Sequence, residues 1–379
     1  MAWAKRNATD FKDCLDQIND FATKTLFAGA VTPGGGNTGD GVVYGASGSE
    51  HSVDGETWTL ECTTGGGDEV AVFSVTGSDA GVQVAATSGV PYSIDRVSFI
   101  ILAGDTDWVA GGTPDSFTFS TSTGTAKWTT EESDLASSQQ HIILNGVGGG
   151  SDEIFAGFRT QSDDATYFNM EVTGFSGYVA TSDYEDQPGY KSYYACMSNS
   201  SFDFYIVTTS RHIKIIPIVG VVYEGGYTGW FLPTATASQY SYPQFVGGST
   251  DLADQTINDT GVQHTNYWAG LDEYNASGSV NDGSEWREIP KLSPISYGEF
   301  ENWIKDIDDN RRLYAATLLN ENQIDIYGTL EGIYYITNGD NALTPQDVIT
   351  DGDKGYIVFR DVTRPGAGNV AVFDLMGDV

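Results

Sequence analysis

The stretch YEGGYTGWFLPTATASQYSYPQFVGG, from Tyr223 to Gly248, is the most informative part of this sequence. It holds seven aromatic residues, five glycines and two prolines, and it has no lysine or arginine. Aromatic side chains offer large contact areas, and glycine and proline set tight turns, so this composition favours packing between subunits over chemistry. The residues expected to form that interface are Tyr227, Trp230, Phe231, Leu232, Pro233, Tyr240, Tyr242 and Pro243.

The aromatic residues of this stretch also allow a second interpretation, a platform on which sugar rings stack. Its members would be Tyr227, Trp230, Phe231, Tyr240 and Tyr242. Such a platform is expected to set polar side chains among the aromatic rings, and only Gln239 and Gln244 are close. Packing in a core or an interface is therefore preferred, and carbohydrate binding stays open as the alternative.

The composition of the whole chain predicts a mainly β fold. Of the 379 residues, 40% are hydrophobic and only 18% are charged, and there are 46 glycines. Abundant Gly, Thr, Ser and Tyr with few long helix formers favour short strands joined by tight turns. The length suffices for two or three domains with their own hydrophobic cores.

The chain is strongly acidic, with a formal net charge of −34 from 52 acidic and 18 basic residues. A surface that grips nucleic acid needs clustered Lys and Arg, so no direct nucleic-acid binding is expected. The charge fits solubility, a saline environment or a channel wall that repels DNA. No apolar run is long enough to span a membrane. Cys14, Cys62 and Cys196 lack metal-binding spacing and are expected to be buried thiols.

The first region, residues 1–41, is predicted to contain a helix followed by a flexible linker. Thr9 or Asp10 is placed to cap the helix. Its apolar residues recur at helical spacing: Phe11, Leu15, Ile18, Phe21 and Ala22. The loop Pro33–Gly39 contains the letters G-x-G-x-x-G, but a helix precedes it and a strand-like run follows. This order is wrong for a dinucleotide site, so the loop is interpreted as the linker.

The second region, residues 42–125, predicts a small β-sandwich because short β-rich runs alternate with turn residues. These runs are Thr57–Cys62, Val70–Thr76, Val97–Ala103 and Ser116–Thr121. Its expected core residues are Tyr92, Phe99, Trp108 and Phe117.

The third region, residues 126–379, predicts a larger β-rich main structural domain with a few helices, one of them from Tyr297 to about Ile307. Its long polar connection Asp251–Glu285 is expected to be an exposed excursion. Its strand candidates are His141–Leu144, Ile154–Arg159, Tyr167–Thr173, Phe204–Val207, Ile213–Tyr223, Ile333–Thr337, Tyr356–Val362 and Val370–Leu375.

Motifs for catalysis or cofactor binding are weak in this chain. The turn Gly174–Gly177 is one residue short of G-x-S-x-G, and the four histidines lack paired metal spacing. Acidic pairs such as Asp105 and Asp107 leave Ca²⁺ open, although none completes an EF-hand loop. Two carboxylates for glycoside hydrolysis could meet in space, but no motif supports an enzyme. Neither a catalytic residue nor a cofactor is therefore expected.

Three segments stand out by their pattern and their order: HIILNGVGGGSDEIFAGFR (His141–Arg159), the YTGWFLP and YSYP motifs leading to GGS (Tyr227–Ser249), and IYGTLEGIYYITNG (Ile326–Gly339). Together they resemble the virion structural proteins of tailed bacteriophages. The resemblance covers mainly Trp128–Val379, and Val42–Thr125 resembles the add-on domains of phage surface proteins. It implies a tail- or baseplate-associated protein and supplies no catalytic residues.

We therefore expect a non-enzymatic, homo-oligomeric structural component of a phage virion, assembled in the host cytoplasm. Its partners would be other copies of itself and other tail or neck proteins. The alternative is a receptor- or carbohydrate-binding tail protein whose ligand is a host surface glycan. A polysaccharide depolymerase is a third and weaker alternative.

Overall fold

The protein is mainly β, as its composition predicts. The computed structural model describes residues 1–122, 128–147, 153–234, 242–256, 278–283, 285–289, 292–293, 313–319, 326–337, 343–351, 354–360 and 369–374. In these ranges the strands form four sheets, of ten, five, eight and seven strands. Neighbouring strands run antiparallel throughout, as in the hairpin of His141 and Arg159.

The chain opens with a strand followed by a helix. Strand β1 spans Ala2–Ala8 and helix α1 spans Phe11–Lys24. The predicted helix is confirmed, and Asp10 caps it by accepting two backbone N–H groups of the first turn, each at 2.9 Å. Strand β1 is not predicted from sequence, because its apolar residues acquire a pattern only in the sheet that it joins.

Ten strands form the predicted sandwich around one core. They are β2 (Phe27–Ala28), β3 (Thr32–Pro33), β4 (Val42–Gly48), β5 (Thr57–Thr64), β6 (Val72–Gly77), β7 (Gly81–Val82), β8 (Ala86–Thr87), β9 (Tyr92–Ser93), β10 (Val97–Leu102) and β11 (Ser116–Ser122). Strand β11 joins the two halves by pairing with β5 and, through its last residues, with β2. The expected core residues Tyr92, Phe99, Trp108 and Phe117 are all buried in it.

The glycine-rich loop Pro33–Gly39 is fastened to the sandwich, which corrects its interpretation as a flexible linker. The Asn37 side-chain amide donates to the carbonyl of Ser116 at 2.9 Å, and its oxygen accepts the Ser116 N–H at 2.8 Å. The buried Asp115 carboxylate accepts two further N–H groups of the loop. These partners lie almost eighty residues away, so the glycine spacing alone does not reveal them.

The rest of the chain builds three stacked sheets. The five-stranded sheet takes β12 (Trp128–Asp134), β13 (His141–Val147), β14 (Glu153–Ser162), β15 (Phe168–Phe175) and β16 (Lys191–Cys196), with a 3₁₀ turn at Tyr184–Asp186. The eight-stranded sheet takes β1 together with β17 (Phe202–Thr208), β18 (His212–Val219), β19 (Val222–Tyr223), β20 (Gly226–Trp230), β22 (Pro243–Gly248), β23 (Gly278–Asp282) and β24 (Trp286–Glu288). The seven-stranded sheet takes β21 (Leu232–Pro233), β25 (Leu292–Ser293), β26 (Leu313–Leu319), β27 (Ile326–Thr337), β28 (Val348–Asp351), β29 (Lys354–Arg360) and β30 (Asn369–Asp374).

The eight-stranded sheet is the central layer and is buried on both faces. Its order is β1-β17-β18-β20-β22-β23-β24, with β19 beside β18. Because side chains alternate along a strand, Ile213 and Ile215 enter the core shared with α1 and the five-stranded sheet. Ile216 and Ile218 enter the core on the other face, which the seven-stranded sheet and part of the sandwich complete. The long apolar run of β18 follows from this double burial.

Strand β1 also holds the sandwich against the central sheet. The Trp3 indole N–H donates to the carbonyl of Gly45 on β4 at 2.6 Å. The Arg6 guanidinium forms a 2.8 Å ion pair with Glu50, and both side chains are almost fully buried. A buried pair of this kind fixes the orientation of the two parts more than it adds stability.

The predicted strands of the main domain all overlap observed strands. The second predicted helix, Tyr297–Ile307, lies outside the described residues, as does most of the excursion Asp251–Glu285. The division of the chain at residues 41 and 125 stays a prediction.

The central sheet yields a prediction at Gly229, whose φ of 136° is unfavourable for other residues. A Cβ there would lie 2.2 Å from the Arg211 carbonyl oxygen and 2.4 Å from the His212 Cα. We expect Gly229→Ala to lower the free energy of unfolding in urea by at least about 3 kcal/mol. The matched control is Gly111→Ala, where a Cβ meets no atom within 4 Å. Equal urea midpoints for the two variants would contradict this account.

Candidate functional site

Three of the predicted interface residues lie inside the chain's own cores. Tyr227 is 0% exposed, Phe231 2% and Trp230 8%. Tyr227 donates its hydroxyl to the Trp230 carbonyl at 2.8 Å. The Trp230 ring enters the opposite core, where it meets the Tyr242 ring at 5.9 Å between centroids. These three side chains are buried within one chain, so the surface of the single chain does not present them to a second subunit or to a sugar.

The other predicted residues hold layers together or remain at the surface. Leu232 and Pro233 form β21, which pairs with β27 and leaves Pro233 exposed. The half-buried Tyr242 hydroxyl bridges the backbones of β14 and β15, accepting one N–H and donating to one carbonyl. Pro243 is buried at the start of β22. Tyr240 lies outside the described residues.

The residues screened for chemistry are dispersed over the fold. His141 on β13 lies 3.1 Å from the Glu132 carboxylate, and Ser176 occupies an exposed turn after β15. The three cysteines are buried and none forms a disulfide, as expected. Within the described ranges, no group of three or more His, Cys, Asp or Glu side chains is arranged to hold a metal ion.

A crevice of about 570 Å³ lies where the sandwich meets the main body. Its polar lining residues are Lys5, Asp68, Glu69, Gln346 and Asp347. Its apolar lining includes Val90, Pro91 and Leu102 on the sandwich side, and Leu343 and Val348 on the other. This volume falls in the range of small-molecule sites, which also combine apolar walls with a few convergent polar groups. We call it the junction crevice.

One end of the junction crevice is a hydrogen-bonded group centred on Gln346. Its side-chain oxygen accepts the Lys5 ammonium at 2.9 Å and the Tyr205 hydroxyl at 3.1 Å. The Lys5 ammonium also lies 3.3 Å from the Asp203 carboxylate. The positive charge of Lys5 is therefore already compensated by groups of the protein.

The backbone of the junction crevice is strained at two places. Glu69 has a φ of 62° and Gln346 a φ of 73°, in the left-handed region that glycine favours. Backbone hydrogen bonds hold both conformations. The Glu69 N–H donates to the Ser88 carbonyl at 2.7 Å, and the Gln346 N–H donates to the Val358 carbonyl at 2.6 Å. Such strain is often found at functional sites. No local sequence signal marks the crevice, since distant segments build it.

A second polar cluster lies on the outer face of the five-stranded sheet. The Arg159 guanidinium on β14 donates one hydrogen bond to the Glu171 carboxylate on β15 at 2.7 Å and another to the Glu185 carboxylate. Glu171 is fully buried and accepts the Tyr190 hydroxyl and the Gln161 amide as well. The cluster thus ties the segment that carries Glu185 and Tyr190 to the sheet.

The Arg159 cluster sets the protonation of its neighbours. The Arg159 guanidinium holds the pKa of the Glu185 carboxyl below its usual range. Burial, with the nearby Glu171 charge, raises the pKa of the Tyr190 hydroxyl. The sequence signal that could have revealed this cluster is a charged residue within a mostly apolar strand. Arg159 on β14 and Glu171 on β15 are such residues, and the structure pairs them directly opposite each other.

A third cluster surrounds His212, in the core between the eight- and seven-stranded sheets. The fully buried ring stacks on Tyr227 at 5.1 Å between centroids, and its Nδ1 lies 3.6 Å from the Glu331 carboxylate. Burial and the neighbouring Lys214 ammonium lower the pKa of His212 to about 4. Near pH 7 the ring is therefore neutral, and it serves packing in the core.

The Arg159 cluster yields a prediction about stability. We expect Glu171→Gln to lower the free energy of unfolding by about 3 kcal/mol, because it leaves the buried Arg159 without its main counter-charge. The double variant Arg159→Met/Glu171→Leu should lose less free energy of unfolding than Glu171→Gln, because neither charge of the pair remains buried. Glu288→Gln is the control, because its pair with Lys191 is exposed and worth at most about 1 kcal/mol. A larger loss in the double variant than in Glu171→Gln would contradict the prediction.

His212 yields a prediction about pH. Its pKa is about 4 in the folded protein and 6.5 as an ordinary histidine, so between these values the unfolded chain binds more protons. Stability should therefore fall as the pH drops from about 6.5 towards 4, by about 3 kcal/mol from this group. Urea unfolding at pH 7 and pH 4.5 should show a smaller loss for His212→Gln than for the wild type. The control is His51→Gln at an exposed position, which should lose as much stability as the wild type. If His212→Gln also loses as much as the wild type, His212 is not the group responsible.

No protein-family model matches this chain, and a search of curated proteins finds no significant match. Within the described part of the chain, no helix has the length and apolar character that crossing a membrane requires.

Proposed function

We propose that this protein is a non-enzymatic structural component of a tailed-phage virion, associated with the tail or baseplate. It assembles in the host cytoplasm with other copies of itself and with other tail or neck proteins. The proposal combines the resemblance of three sequence segments with the way in which those segments meet in the fold.

The three segments form one continuous frame through the stacked sheets. His141–Arg159 is the hairpin β13–β14 of the five-stranded sheet. The Gln244 amide on β22 reaches this hairpin and donates to the Phe155 carbonyl at 2.8 Å. On the other side, β21 pairs directly with β27, which belongs to Ile326–Gly339. The segments that carry the resemblance therefore join the three layers, as expected of a scaffold whose role is mechanical.

The layered arrangement suits a load-bearing particle protein. A central sheet buried on both faces cannot separate from either neighbour without exposing a large apolar surface. Since the aromatic residues of β20 are used inside the chain, contacts between copies fall on outward surfaces. Each copy carries a formal charge of −34, so copies repel one another unless salt or bound cations screen them.

The proposal is tested on purified particles of the phage that encodes the chain. An epitope inserted at the exposed turn Asp54–Gly55 should co-purify with virions, and gold-labelled antibody should mark the tail or baseplate. Tagged phage of wild-type infectivity is the control for a harmless insertion. Recovery only from the particle-free lysate would overturn the proposal.

The isolated protein provides a second test of the same proposal. Light scattering at about 0.5 M salt, where repulsion is screened, should give a multiple of the 40.7 kDa monomer mass. In the labelling experiment, gold on peripheral fibres would favour the receptor-binding alternative instead. Release of sugar from host polysaccharide would favour a depolymerase.

A further inference from the structure

We propose that one sheet face of the sandwich, rich in hydroxyl groups and nearly free of charge, packs against the same face of a second copy of this chain. This contact is the self-association that the proposed function includes, so it rests on that function and adds the surface that carries it. The composition of the face, the open strand edge beside it and the charge of the whole chain support it.

The face is formed by the outward side chains of β5, β6 and β11. Along each of these strands, alternate residues are buried in the sandwich core, and the residues between them point outward. The outward residues are Thr57, Thr59, Glu61, Thr63, Val72, Ser74, Thr76, Ser116, Thr118, Ser120 and Ser122. We call these eleven residues the hydroxyl face. Nine of them carry a hydroxyl group, and Glu61 is the one charged member.

The strand register sets the hydroxyl groups in rows. Thr76 on β6 lies opposite Thr59 on β5, which lies opposite Thr118 on β11. Val82 on β7 extends this row at one end and Thr32 on β3 at the other, and both are exposed. Five neighbouring strands and the length of β5 give a surface of about 19 Å by 20 Å. This is about half of what each partner contributes to a standard interface, so one contact is weak and gains from repetition in a particle.

The near absence of charge on this face favours a second copy as the occupant. Helix α1 provides the comparison, because five of its eight residues that are not buried are charged: Lys12, Asp13, Asp16, Asp20 and Lys24. Copies with a charge of −34 repel one another least where two nearly neutral faces meet. A basic partner would instead be drawn to the acidic remainder of the surface.

An unprotected strand edge borders the hydroxyl face. Among the described strands, β7 is the last of the ten-stranded sheet on this side. The Gln83 N–H donates to the Val75 carbonyl on β6 at 2.8 Å, so Val82 directs its own backbone N–H and carbonyl away from β6. Val82 is 79% exposed and Val84 68%, and no charged residue occurs from Ala80 to Ile94. Open edges are usually protected by charge or covered, so exposed valines on an uncharged edge indicate an edge that is covered in the assembly.

The chemistry of the hydroxyl face disfavours other occupants. A sugar-binding face would be expected to carry aromatic rings, and none of the eleven residues is aromatic. Nucleic acid needs Lys and Arg, and a divalent cation needs several oxygen ligands of which carboxylates are the main source. Threonine side chains offer both methyl and hydroxyl groups, which pack and hydrogen-bond well against a second sheet of the same kind.

The first experiment measures self-association of the whole protein by sedimentation over a range of concentrations at about 0.5 M salt. Thr59→Glu and Thr118→Glu should each weaken association by at least about tenfold, because the new charges oppose one another across the contact. Glu61→Gln should strengthen association by at least about twofold, because it removes the one charge of the face.

The matched control is Thr129→Glu, the same substitution at an exposed threonine of β12 in the five-stranded sheet. It should change the association constant by less than about twofold, because its charge lies outside the contact. Thermal unfolding of each variant confirms that it is folded.

Cysteine labelling locates the contact directly. The three native cysteines are buried, so Thr59→Cys introduces the one exposed thiol of the chain. Its reaction with a maleimide should slow by at least about fivefold when the protein is concentrated enough to associate, because association covers the thiol. The rate at Thr129→Cys should stay the same.

The outcomes separate this contact from the proposed function. An oligomer that tolerates Thr59→Glu and Thr118→Glu as well as it tolerates Thr129→Glu would overturn the hydroxyl face as the contact and leave the virion role in place. A protein that stays monomeric up to about 0.5 mM would overturn the contact and self-association together. The position of the protein in the particle is measured independently by the gold label.

Discussion

Burial of the eight-stranded sheet on both faces is the constraint on which the rest of the structure depends. Polar groups in such a sheet need partners from the protein, and the Thr228 hydroxyl accordingly donates to the Thr173 carbonyl of the next layer at 2.8 Å. The layers also approach too closely for side chains at some positions. A Cβ at Gly248 would lie less than 3 Å from the backbone of Tyr194, and one at Gly226 would contact both the next layer and its own sheet. Gly226, Gly229 and Gly248 of the aromatic stretch are thus required by packing.

This constraint changes the meaning of the aromatic composition. A stretch rich in aromatic residues, glycine and proline and free of basic residues suits an interface between subunits. It suits equally a strand pressed between two sheets of one chain, because both environments are dry and densely packed. Here Tyr227 and Phe231 face one neighbour and Trp230 the other, within a single chain. The proposed assembly role therefore rests on the frame that joins the layers, and its contact surfaces lie elsewhere.

The acidic charge of the chain is handled differently inside and outside. Inside, charged groups are paired across neighbouring strands, as in the contact of Arg159 with Glu171, or made neutral by burial, as in His212. At the junction of the sandwich and the main body, the Lys5 ammonium is compensated by the Asp203 carboxylate and the Gln346 side-chain oxygen.

The sequence by itself determined the β class, the helix from Phe11 to Lys24 with its Asp10 cap, the sandwich core and most strand positions. These follow from local periodicity, capping and turn residues, which act over a few neighbouring positions. Only the tertiary structure decided that residues 2–8 form an edge strand, that the glycine-rich loop is fastened down, and that Lys5 meets Gln346 across 341 positions. Tertiary structure also decided that Tyr227, Trp230 and Phe231 of the aromatic stretch lie inside one chain. Composition specifies how a surface packs, but only the arrangement of layers specifies what covers it.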